Sequence, residues 1–597
     1  MKYVLVSGGV ISGVGKGIIA SSAGLILKTK GLKVSSIKID PYINVDAGTM
    51  NPKEHGECYV LDDGGEVDLD LGNYERYLNI TLSRDNNITL GKIYQRVIEN
   101  ERQGKYLGKT VQVVPHVTGE IEDWIQRVAK VPVDDTGEVP DVCIIELGGT
   151  IGDIEGMAFV EAVCELRRKC KKDDFMQIHV SYIPVVHGEQ KSKPTQMAIK
   201  AVRSAGLIPD LIACRCERPL EPGTIDKIAR FCQVRNENVL AVHDMPSTYQ
   251  VPLLLREQNL DELMTEALGL EKVEIEPALR EKGVRIWENW RQLALGLQHV
   301  YDEVRIALVG KYLEQPDSYL SVIRSLEHAS MRCGRKLVIK YVDSEALEGA
   351  TRDSDPATYH KAWHDLCTAQ GVLVPGGFGS RGVEGMVEAA HWARQEKKPY
   401  LGICLGMQVA VVEFARSVCG ISTPQAKSHE WDGKNEDRVI VQMLEHHTGV
   451  MGGTMRLGLR PTIWQENTEW SKLRALYGLK NESINERHRH RYEVNPEYID
   501  QLQAKGLTFI GKDESGVRME VIELKDHPWF VGVQFHPEYI SRVLHPSKPY
   551  LGFIAASAGM LEEITNGGKG DAINGTYQGI NGTSMLNGSV NGDRAAF

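Results

Sequence analysis

The sequence lacks the features that mark secreted, membrane and nucleic-acid-binding proteins. Its 11 cysteines include no C-x-x-C pair, so we expect reduced thiols in a reducing compartment. No run is long and apolar enough to span a bilayer, and Met1 leads into a strand-like segment without a signal or transit peptide. The net charge of −11 argues against a general nucleic-acid binder. These absences predict a cytoplasmic protein with no membrane or nucleic-acid partner, in which local lysines and arginines hold any anionic substrate.

The chain is long enough for two or more domains, and its pattern indicates two of the α/β class. Its 597 residues exceed the usual size of one domain. Apolar strand segments alternate with helical ones, which favours a parallel doubly wound sheet. We expect a first domain over 1–270, a linker helix over 271–300 and a second α/β domain over 301–563. The segment 564–597 repeats Asn-Gly and has few large apolar residues, so we expect it to be disordered.

One segment of the second domain, Pro399–Glu413 (PYLGICLGMQVAVVE), predicts a nucleophile. It combines a short apolar strand, a glycine-flanked turn and an apolar helix. Gly402 and Gly406 allow the sharp turn that lifts Cys404 clear of a sheet. The helix N-terminus behind Cys404 would lower the pKa of the thiol and offer N–H groups to an oxyanion. The alternative is a buried core cysteine, but the two glycines and a later His-Pro-Glu favour the nucleophile.

That His-Pro-Glu lies in Gly532–Glu538 (GVQFHPE), at the end of an apolar strand. The proline between His536 and Glu538 fixes the local backbone, so both side chains can be aimed. If Glu538 orients His536 and His536 deprotonates Cys404, the three form a hydrolytic Cys-His-Glu triad. Another strand-to-glycine turn, VPGGFG from Val374, has free N–H groups that could form an oxyanion hole with that of Leu405.

A glycine-rich loop in the first domain predicts phosphate binding. Ser7–Gly17 (SGGVISGVGKG) joins a strand to a helix. In this geometry backbone N–H groups and the helix N-terminus face the anion, and Lys16 supplies a point charge. The loop departs from the pattern G-x-x-x-x-G-K-[ST] because Val10 replaces the first glycine and Gly17 replaces the hydroxyl residue that would contact Mg²⁺.

The missing hydroxyl means that metal ligands must come from elsewhere. Asp70, in the acidic run EVDLD, and Glu146, at the end of an apolar strand, are the candidates, because carboxylate oxygens suit Mg²⁺ bound together with phosphates. Asp70 alone would ordinarily be a solvated loop acid. Lys38 lies near the carboxyl end of the second strand, where ligands bind in open α/β sheets, and needs an anionic partner or a solvent route.

Two other basic stretches have ordinary alternatives. Lys191–Gln196 (KSKPTQ) offers two lysines, a stiffened turn and a hydroxyl, which would suit a triphosphate but is also a common surface loop. Arg487–Tyr492 (RHRHRY) is strongly basic and would ordinarily form a solvated or carboxylate-pairing face.

At this point the motifs resemble those of a known family. GICLGMQ, VQFHPE and VPGGFG are similar to a class I glutamine amidotransferase domain. MKYVLVSGGVISGVGKG, SIKIDPYINVDAGTM, EVDLDLGNYERYL, ELGGTIGDIEG and KSKPTQ resemble the amino-terminal synthetase domain of the CTP synthase family. The likeness covers about residues 1–560 in family order. HVSYIPVVHGEQKSKPTQ is similar to eukaryotic members, fungal more than animal.

The resemblance implies a fold and a reaction. The fold is a P-loop-type, dethiobiotin-synthetase-like parallel-sheet domain joined to a class I glutamine amidotransferase domain. The reaction is ATP-dependent amination of UTP to CTP through 4-phosphorylated UTP, the last step of de novo CTP synthesis. Ammonia from glutamine hydrolysis is channelled between the domains. The resemblance further implies Mg²⁺, GTP as an allosteric activator, CTP as a feedback inhibitor, a homotetramer and, in many members, filaments.

The resemblance also assigns residues to sites. Catalysis of glutamine hydrolysis falls to Cys404, His536 and Glu538. ATP is assigned to Gly13, Val14, Gly15, Lys16, Gly17, Lys38 and Asp70, with Mg²⁺ on Asp70 and Glu146. UTP and CTP are assigned to Ser12, Asp153, Glu155, Lys191, Gln196 and Lys227, partly across subunits. Glutamine is assigned to Gly377, Leu405, Gln408, Glu430 and Arg491, although Glu430 lies in SHEW where the family more often has STEF.

Two alternatives remain at this point. A cobyrinic acid amidase also joins a dethiobiotin-synthetase-like domain to a triad amidotransferase, but KSKPTQ and GDIEG favour CTP synthase. The chain could instead be a filament-forming structural protein with a vestigial site. The intact Lys16, Asp70, Glu146, Cys404, His536 and Glu538 argue against such decay.

Overall fold

Apolar strands in the first half of the chain build one parallel sheet. The computed structural model describes residues 1–9, 11, 13–296, 300–432, 437–443 and 455–566. The strands of this half are β1 (Lys2–Gly8), β2 (Val34–Asp40), β3 (Tyr59–Val60), β4 (Glu66–Val67), β5 (Asn87–Thr89), β6 (Val142–Leu147), β7 (Phe175–Tyr182), β8 (Val185–Val186), β9 (Glu189–Gln190), β10 (Leu211–Cys216) and β11 (Val239–His243). Seven of them form a sheet in the order β11-β10-β7-β1-β6-β2-β5, with every pair parallel.

Helices cover both faces of this sheet, as an all-parallel sheet requires. They are α1 (Lys16–Thr29), α2 (Pro52–His55), α3 (Asp70–Leu78), α4 (Leu90–Arg102), α5 (Thr118–Val128), α6 (Met157–Lys169), α7 (Lys193–Ser204), α8 (Pro222–Cys232), α9 (Val251–Glu257) and α10 (Leu260–Leu268). Alternate residues of β1 belong to the two layers. Val4 and Val6 pack with α1 and α3, whereas Tyr3 and Leu5 pack with α5 and α6.

A single long helix, α11 (Pro277–Gly296), leads from this sheet toward the second one. Trp290 is 1% exposed and donates its indole N–H to the carbonyl of Tyr249 at 2.9 Å. Its ring centroid lies 5.0 Å from that of Tyr77. The helix is therefore packed onto the first domain by aromatic burial.

The second half of the chain builds a larger, mixed sheet. The strands of this half are β12 (Glu303–Gly310), β13 (Lys336–Asp343), β14 (Gly371–Val374), β15 (Tyr400–Ile403), β16 (Ile440–Gln442), β17 (Arg456–Trp464), β18 (Ser483–His490), β19 (Tyr492–Val494), β20 (Leu507–Lys512), β21 (Met519–Leu524) and β22 (Phe530–Val533). Nine of them form the mixed sheet, and β16 pairs with β19 in a separate two-stranded sheet. The sheet order is β13-β12-β14-β15-β22-β21-β20-β17-β18. The first five strands are parallel, and the remaining four continue antiparallel.

The helices of this half are α12 (Leu320–Arg332), α13 (Gly349–Ser354), α14 (Pro356–Cys367), α15 (Val383–Gln395), α16 (Leu405–Ser417), α17 (His429–Asp432), α18 (Lys472–Tyr477), α19 (Ile499–Ala504), α20 (Lys548–Ser557) and α21 (Leu561–Asn566). The predicted fold class, two α/β domains with a parallel sheet in each, is confirmed. The antiparallel extension of the second sheet was not predicted. The segment 564–597, predicted to be disordered, lies outside the described residues except for 564–566, which belong to α21.

Within the described ranges, no helix combines the length and hydropathy that a membrane crossing requires.

Two glycines of α11 offer a matched test of how this helix packs. A Cβ on Gly283 would lie 2.3 Å from the carbonyl oxygen of Thr29, whereas a Cβ on Gly296 would meet nothing within 4 Å. We expect Gly283→Ala to lower the free energy of unfolding by about 1–3 kcal/mol, because a clash with backbone cannot be relieved by a rotamer change. Gly296→Ala should be neutral or stabilising through its better helix propensity. Urea unfolding measures both, and equal midpoints would contradict this packing.

Candidate active site

The turn at Cys404 has the geometry of a nucleophile elbow. Cys404 joins β15 to α16 with φ +53° and ψ −101°, a conformation that non-glycine residues rarely adopt. A Cβ on Gly402 would lie 2.6 Å from the carbonyl of Gly406, and one on Gly406 would lie 2.0 Å from the carbonyl oxygen of Val374. Both flanking positions therefore exclude a side chain, and the tight backbone contact holds the strained cysteine in place.

His536 and Glu538 lie beside this turn, and the structure brings all three triad residues together. His536 Nδ1 and Glu538 Oε1 are 2.7 Å apart, and Cys404, His536 and Glu538 are at most 6% exposed. A Cβ on Gly376 would lie 2.8 Å from His536 Cε1 and 3.7 Å from Cys404 Cβ, so that glycine lines the space between them. Gln534 donates its amide N–H to Cys404 Sγ at 3.6 Å.

The electrostatics of the triad favour a charged imidazole. Burial disfavours the imidazolium of His536, but the charges of Glu538 and Cys404 outweigh burial and raise the pKa of His536 to about 10. A protonated imidazole can give its proton to a leaving group. The site is therefore arranged for covalent catalysis at Cys404.

Three residues assigned to glutamine surround the elbow. Gly377 lines a cavity of about 70 Å³ over Cys404, together with Glu57 and Cys58 of the first domain. Leu405 begins α16 and packs against Gly377. Gln408 is buried and donates to the carbonyl of Tyr492 at 3.0 Å. It also donates to Gln534 at 3.3 Å, the side chain that contacts Cys404 Sγ.

The two charged residues assigned to glutamine are neighbours at the edge of the glycine turn. Glu430 accepts the backbone N–H of Gly379 at 2.8 Å. Burial raises the pKa of Glu430, while the Gly379 N–H and the charges of Lys311 and Arg491 oppose the shift. Arg491 is close enough for its charge to act on Glu430, and a carboxylate and a guanidinium match the ammonium and carboxylate groups of an amino acid.

The sequence analysis missed Lys311, which binds the carbonyl oxygens of the glycine turn. Lys311 is 2% exposed and donates to the carbonyl oxygens of Phe378 and Gly379. Burial lowers the pKa of Lys311 to about 8, although Glu430 opposes the shift. The sequence could have indicated a role for Lys311, because this lysine directly follows the apolar strand β12, and other site residues also follow strands.

The phosphate loop leads directly into α1. The helix begins at Lys16 after Gly15, whose φ is +98°. Gly13 has φ +69°, and a Cβ on either glycine would meet nothing within 4 Å, so the loop has an open face. Lys16 Nζ donates to the carbonyl of Gly149 at 3.4 Å. Val14 and Gly17 are buried behind the loop. Val10 and Ser12 lie outside the described residues.

Sheet register places Lys38 and Glu146 side by side, since they are direct partners in β2 and β6. Lys38 Nζ lies 3.4 Å from Glu146 and also contacts Asp70. It is further paired with Asp40 at 3.6 Å and Asp68 at 3.8 Å. The sequence analysis did not single out Asp40 or Asp68. The predicted ligands, Asp70 and Glu146, are therefore brought together within a larger carboxylate cluster.

This cluster carries excess negative charge. Burial raises the pKa of Asp40 to about 7, with the charge of Lys38 opposing the shift, and burial likewise raises the pKa of Glu146. The Tyr74 hydroxyl, also missed, donates to Glu146. Four carboxylates face the ammonium groups of Lys38 and Lys16, so the donor set fits a hard divalent cation such as Mg²⁺.

The residues assigned to UTP and CTP lie on several loops and helices, and two of them, Lys191 and Lys227, are close enough that both lower the pKa of Glu189. Lys227, Asp153 and Glu155 are exposed, and Lys191 pairs with Glu189. Gln196, in the first turns of α7, donates to Ser192 at 3.0 Å. Among the described residues, no hydrogen bond or ion pair joins members of this group. Ser12, as noted, is outside the described part of the chain.

The basic strand β18 alternates between two environments. Arg487 pairs with Glu75 and Asp62, and Arg489 with Glu66. The carboxylate-pairing interpretation is therefore correct and the solvated one is wrong, because the side chains of Arg487 and Arg489 are only 1% and 12% exposed between the domains.

The alternate histidines of β18 point the other way. His488 and His490 have ring nitrogens 3.1 Å apart, and His488 lies 3.6 Å from Glu520. This is the one His-rich cluster within the described ranges with metal-ligand spacing. Burial raises the pKa of Glu520 to about 8, and Arg456 already binds this carboxyl group at 3.1 Å. We therefore assign the cluster to the buried polar core of the domain and not to a metal site.

Fold and geometry together define an enzyme with two centres, a phosphate-binding synthetase domain and a glutamine amidotransferase domain. Comparison with known proteins gives the family. Residues 2–270 match the CTP synthase N-terminus model and residues 315–556 match the class-I glutamine amidotransferase model. The CTP synthase of Neurospora crassa is 63% identical over 99% of this chain and 100% of its own length. That of Schizosaccharomyces pombe is 61% identical over 95% of this chain and 94% of its own length.

The chain belongs to the CTP synthase family. A solved glutaminase domain of Trypanosoma brucei CTPS with bound acivicin is 39% identical and covers 43% of this chain and 94% of its own, with a TM-score of 0.38. The predicted likeness to fungal members is confirmed by the relatives from Neurospora crassa and Schizosaccharomyces pombe. Family membership excludes the cobyrinic acid amidase and the vestigial structural protein as alternatives.

The raised pKa of His536 generates a pH test. Glu538→Gln removes a charge that raises this pKa, so the imidazolium should be lost at lower pH. We expect the alkaline limb of glutamine hydrolysis to move to lower pH and the rate to fall by about 10²-fold or more.

Glu413→Gln is the matched control, because Glu413 is a buried carboxylate of the same domain paired with a histidine, His391, at 2.7 Å. Its alkaline limb should stay in place. An unshifted limb in Glu538→Gln would show that Glu538 does not set the charge of His536.

Proposed function

We propose that this chain aminates UTP to CTP, using ATP to activate UTP and glutamine as the source of ammonia. The observation that carries the proposal is the buried Cys404, His536 and Glu538 arrangement in a domain packed against the one that holds the phosphate loop. Members of the family use ATP and UTP. Free ammonia is mostly protonated at neutral pH, so releasing it in a dry site and passing it between domains preserves the nucleophile.

In the glutaminase centre, Cys404 Sγ attacks the amide carbon of glutamine. The N–H of Leu405 and those of the 374–379 turn stabilise the oxyanion. His536 then gives its proton to the leaving nitrogen, which departs as ammonia and leaves a thioester on Cys404. Water, deprotonated by His536, hydrolyses the thioester to glutamate. Glu430 and Arg491 hold the amino and carboxylate groups of the substrate, with Gly377 and Gln408 shaping the pocket.

In the synthetase centre, Lys16 and the backbone N–H groups of 13–17 bind the phosphates of ATP. Asp70 and Glu146 would hold Mg²⁺, which supplies charge neutralisation on those phosphates. Lys38 lies where it can neutralise the phosphoryl group in transfer. O4 of uracil is a poor leaving group, so its phosphorylation allows ammonia to attack C4 and phosphate to depart.

The proposal extends to regulation and assembly. Ser12, Asp153, Glu155, Lys191, Gln196 and Lys227 form the UTP and CTP sites. The exposed positions of Asp153, Glu155 and Lys227 support sites completed by neighbouring subunits of a homotetramer, with filaments as a further assembly. GTP acts as the activator and CTP as the feedback inhibitor. The chain works in the cytoplasm, with domains over 1–270 and 301–563, a linker over 271–300 and a tail over 564–597.

The division of labour is tested by the nitrogen source. Cys404→Ala should abolish CTP formation from glutamine, because no other group can form the thioester, and leave formation from ammonia within about twofold. Absorbance of CTP in a mixture of ATP, UTP, Mg²⁺ and either nitrogen source measures both. Cys367→Ala, at an exposed cysteine of the same domain, should behave as the unaltered protein. Loss of ammonia-dependent synthesis by well-folded Cys404→Ala would contradict the proposal.

A further inference from the structure

Helix α3 joins the phosphate site to the second domain, although it has only nine residues. At its start, Asp70 contacts Lys38 of the phosphate site. One turn later the Tyr74 hydroxyl donates to Glu146. The next residue, Glu75, points out of the first domain and into the second. Consecutive residues of one helix therefore contact the phosphate site and the second domain.

Glu75 is fully buried and joined to two arginines of the second domain. Arg487 Nη1 and Nη2 donate to its two oxygens at 2.7 and 3.0 Å, a bidentate pair. Arg542 Nη2 donates at 3.1 Å, and the hydroxyl of Tyr59, from the first domain, at 2.6 Å. Burial alone would raise the pKa of Glu75, but the two arginines outweigh it and lower the pKa to about 2. The carboxylate is therefore charged at every physiological pH.

The same groups converge on the carbonyl of Tyr539, three residues after the catalytic histidine. That oxygen accepts from Arg542 at 3.0 Å and from Arg487 at 3.3 Å. It also lies 2.5 Å from the Tyr59 hydroxyl oxygen, whose single proton it shares with Glu75. The Tyr539 ring stacks on the His536 imidazole, with centroids 5.1 Å apart and planes inclined by 17°.

The backbone of His536 is held by the same arginine. Its N–H donates to the carbonyl of Arg487 at 2.8 Å. The ring of His536 therefore packs on Tyr539, and its backbone N–H is bonded to Arg487. Glu75 binds Arg487 directly and shares with Tyr539 the partners Arg487, Arg542 and Tyr59.

We propose that Glu75 is a positioning residue for glutamine hydrolysis: by fixing Arg487, Arg542 and Tyr539 it sets the place of the His536 imidazole relative to Cys404. The inference rests on the proposed roles of Cys404 and His536. Under this proposal one helix, α3, serves both centres. Asp70 and Tyr74 act at the phosphate site, and Glu75 positions His536 of the glutaminase.

A merely structural role predicts something different. A buried ion cluster that only joins two domains should, when broken, lower stability and impair both reactions together. A positioning role should impair glutamine hydrolysis in kcat, with little change in KM, and spare synthesis from ammonia.

Two variants with matched controls separate these roles. Glu75→Gln removes the charge, and Glu122→Gln is its control, because Glu122 is a buried carboxylate paired with Lys169 at 2.8 Å inside the first domain. Tyr59→Phe is milder, since it removes one hydroxyl and keeps charge and packing. Its control is Tyr249→Phe, which loses an equivalent interdomain bond to Glu327 at 3.0 Å.

The full chain is assayed for glutamine hydrolysis, for ammonia-dependent CTP formation and for the rate at which iodoacetamide alkylates Cys404. We expect Glu75→Gln to lose about tenfold or more in kcat for glutamine and Tyr59→Phe to lose a smaller factor in the same direction. Alkylation should slow in parallel, because thiolate reactivity depends on the imidazolium. Ammonia-dependent synthesis should stay within about twofold, and both controls should match the unaltered protein.

Unchanged glutamine kcat and alkylation in Tyr59→Phe would overturn the inference, as would equal losses with glutamine and ammonia in Glu75→Gln. Neither result would affect the proposed function, which is tested separately by the response of Cys404→Ala to glutamine and to ammonia.

Discussion

A carboxylate that is never exposed to water holds the two domains in register. Glu75 is buried between Arg487 and Arg542, and each of these charges would be costly to bury alone. The cluster is stable only when both domains contribute, so it fixes one relative placement of the two sheets. That placement brings Glu57 and Cys58 of the first domain to the wall of the cavity over Cys404. The cavity over Cys404 therefore lies at the same interface.

Both centres follow one structural rule, since their groups lie at or just beyond the carboxyl ends of parallel strands. The phosphate loop follows β1, and Lys38 and Glu146 lie on β2 and β6. In the second domain, Cys404 follows β15 and His536 follows β22. The chemistry differs in the sign of the local charge. The phosphate site contains four carboxylates around Lys38, which favour a bound cation. In the glutaminase site, the charge of Glu538 stabilises the imidazolium of His536.

Local sequence motifs made the nucleophile elbow, the phosphate loop and the triad predictable. The strand, turn and helix around Cys404 and around Lys16 are encoded within about fifteen residues, and glycine is required there by contacts such as that of Gly406 with Val374. The triad followed from a second local motif. Groups that depend on distant parts of the chain were missed, including Asp40, Asp68 and Lys311. Each of these is an unremarkable charged residue until sheet register or a neighbouring loop gives it a partner. For the same reason the partners of RHRHRY, some 400 residues away, could not be named in advance.

The central claim is that two chemically different centres act as one enzyme because ammonia passes between them inside the molecule. It is tested most directly with glutamine labelled with heavy nitrogen at its amide, in the presence of an equal concentration of unlabelled ammonium. Mass spectrometry of the CTP formed at early times gives the origin of its amino nitrogen. The account predicts that nearly all of it carries the label, with Cys404→Ala giving unlabelled CTP as the control. Label diluted to the ratio of the two nitrogen sources in solution would contradict it.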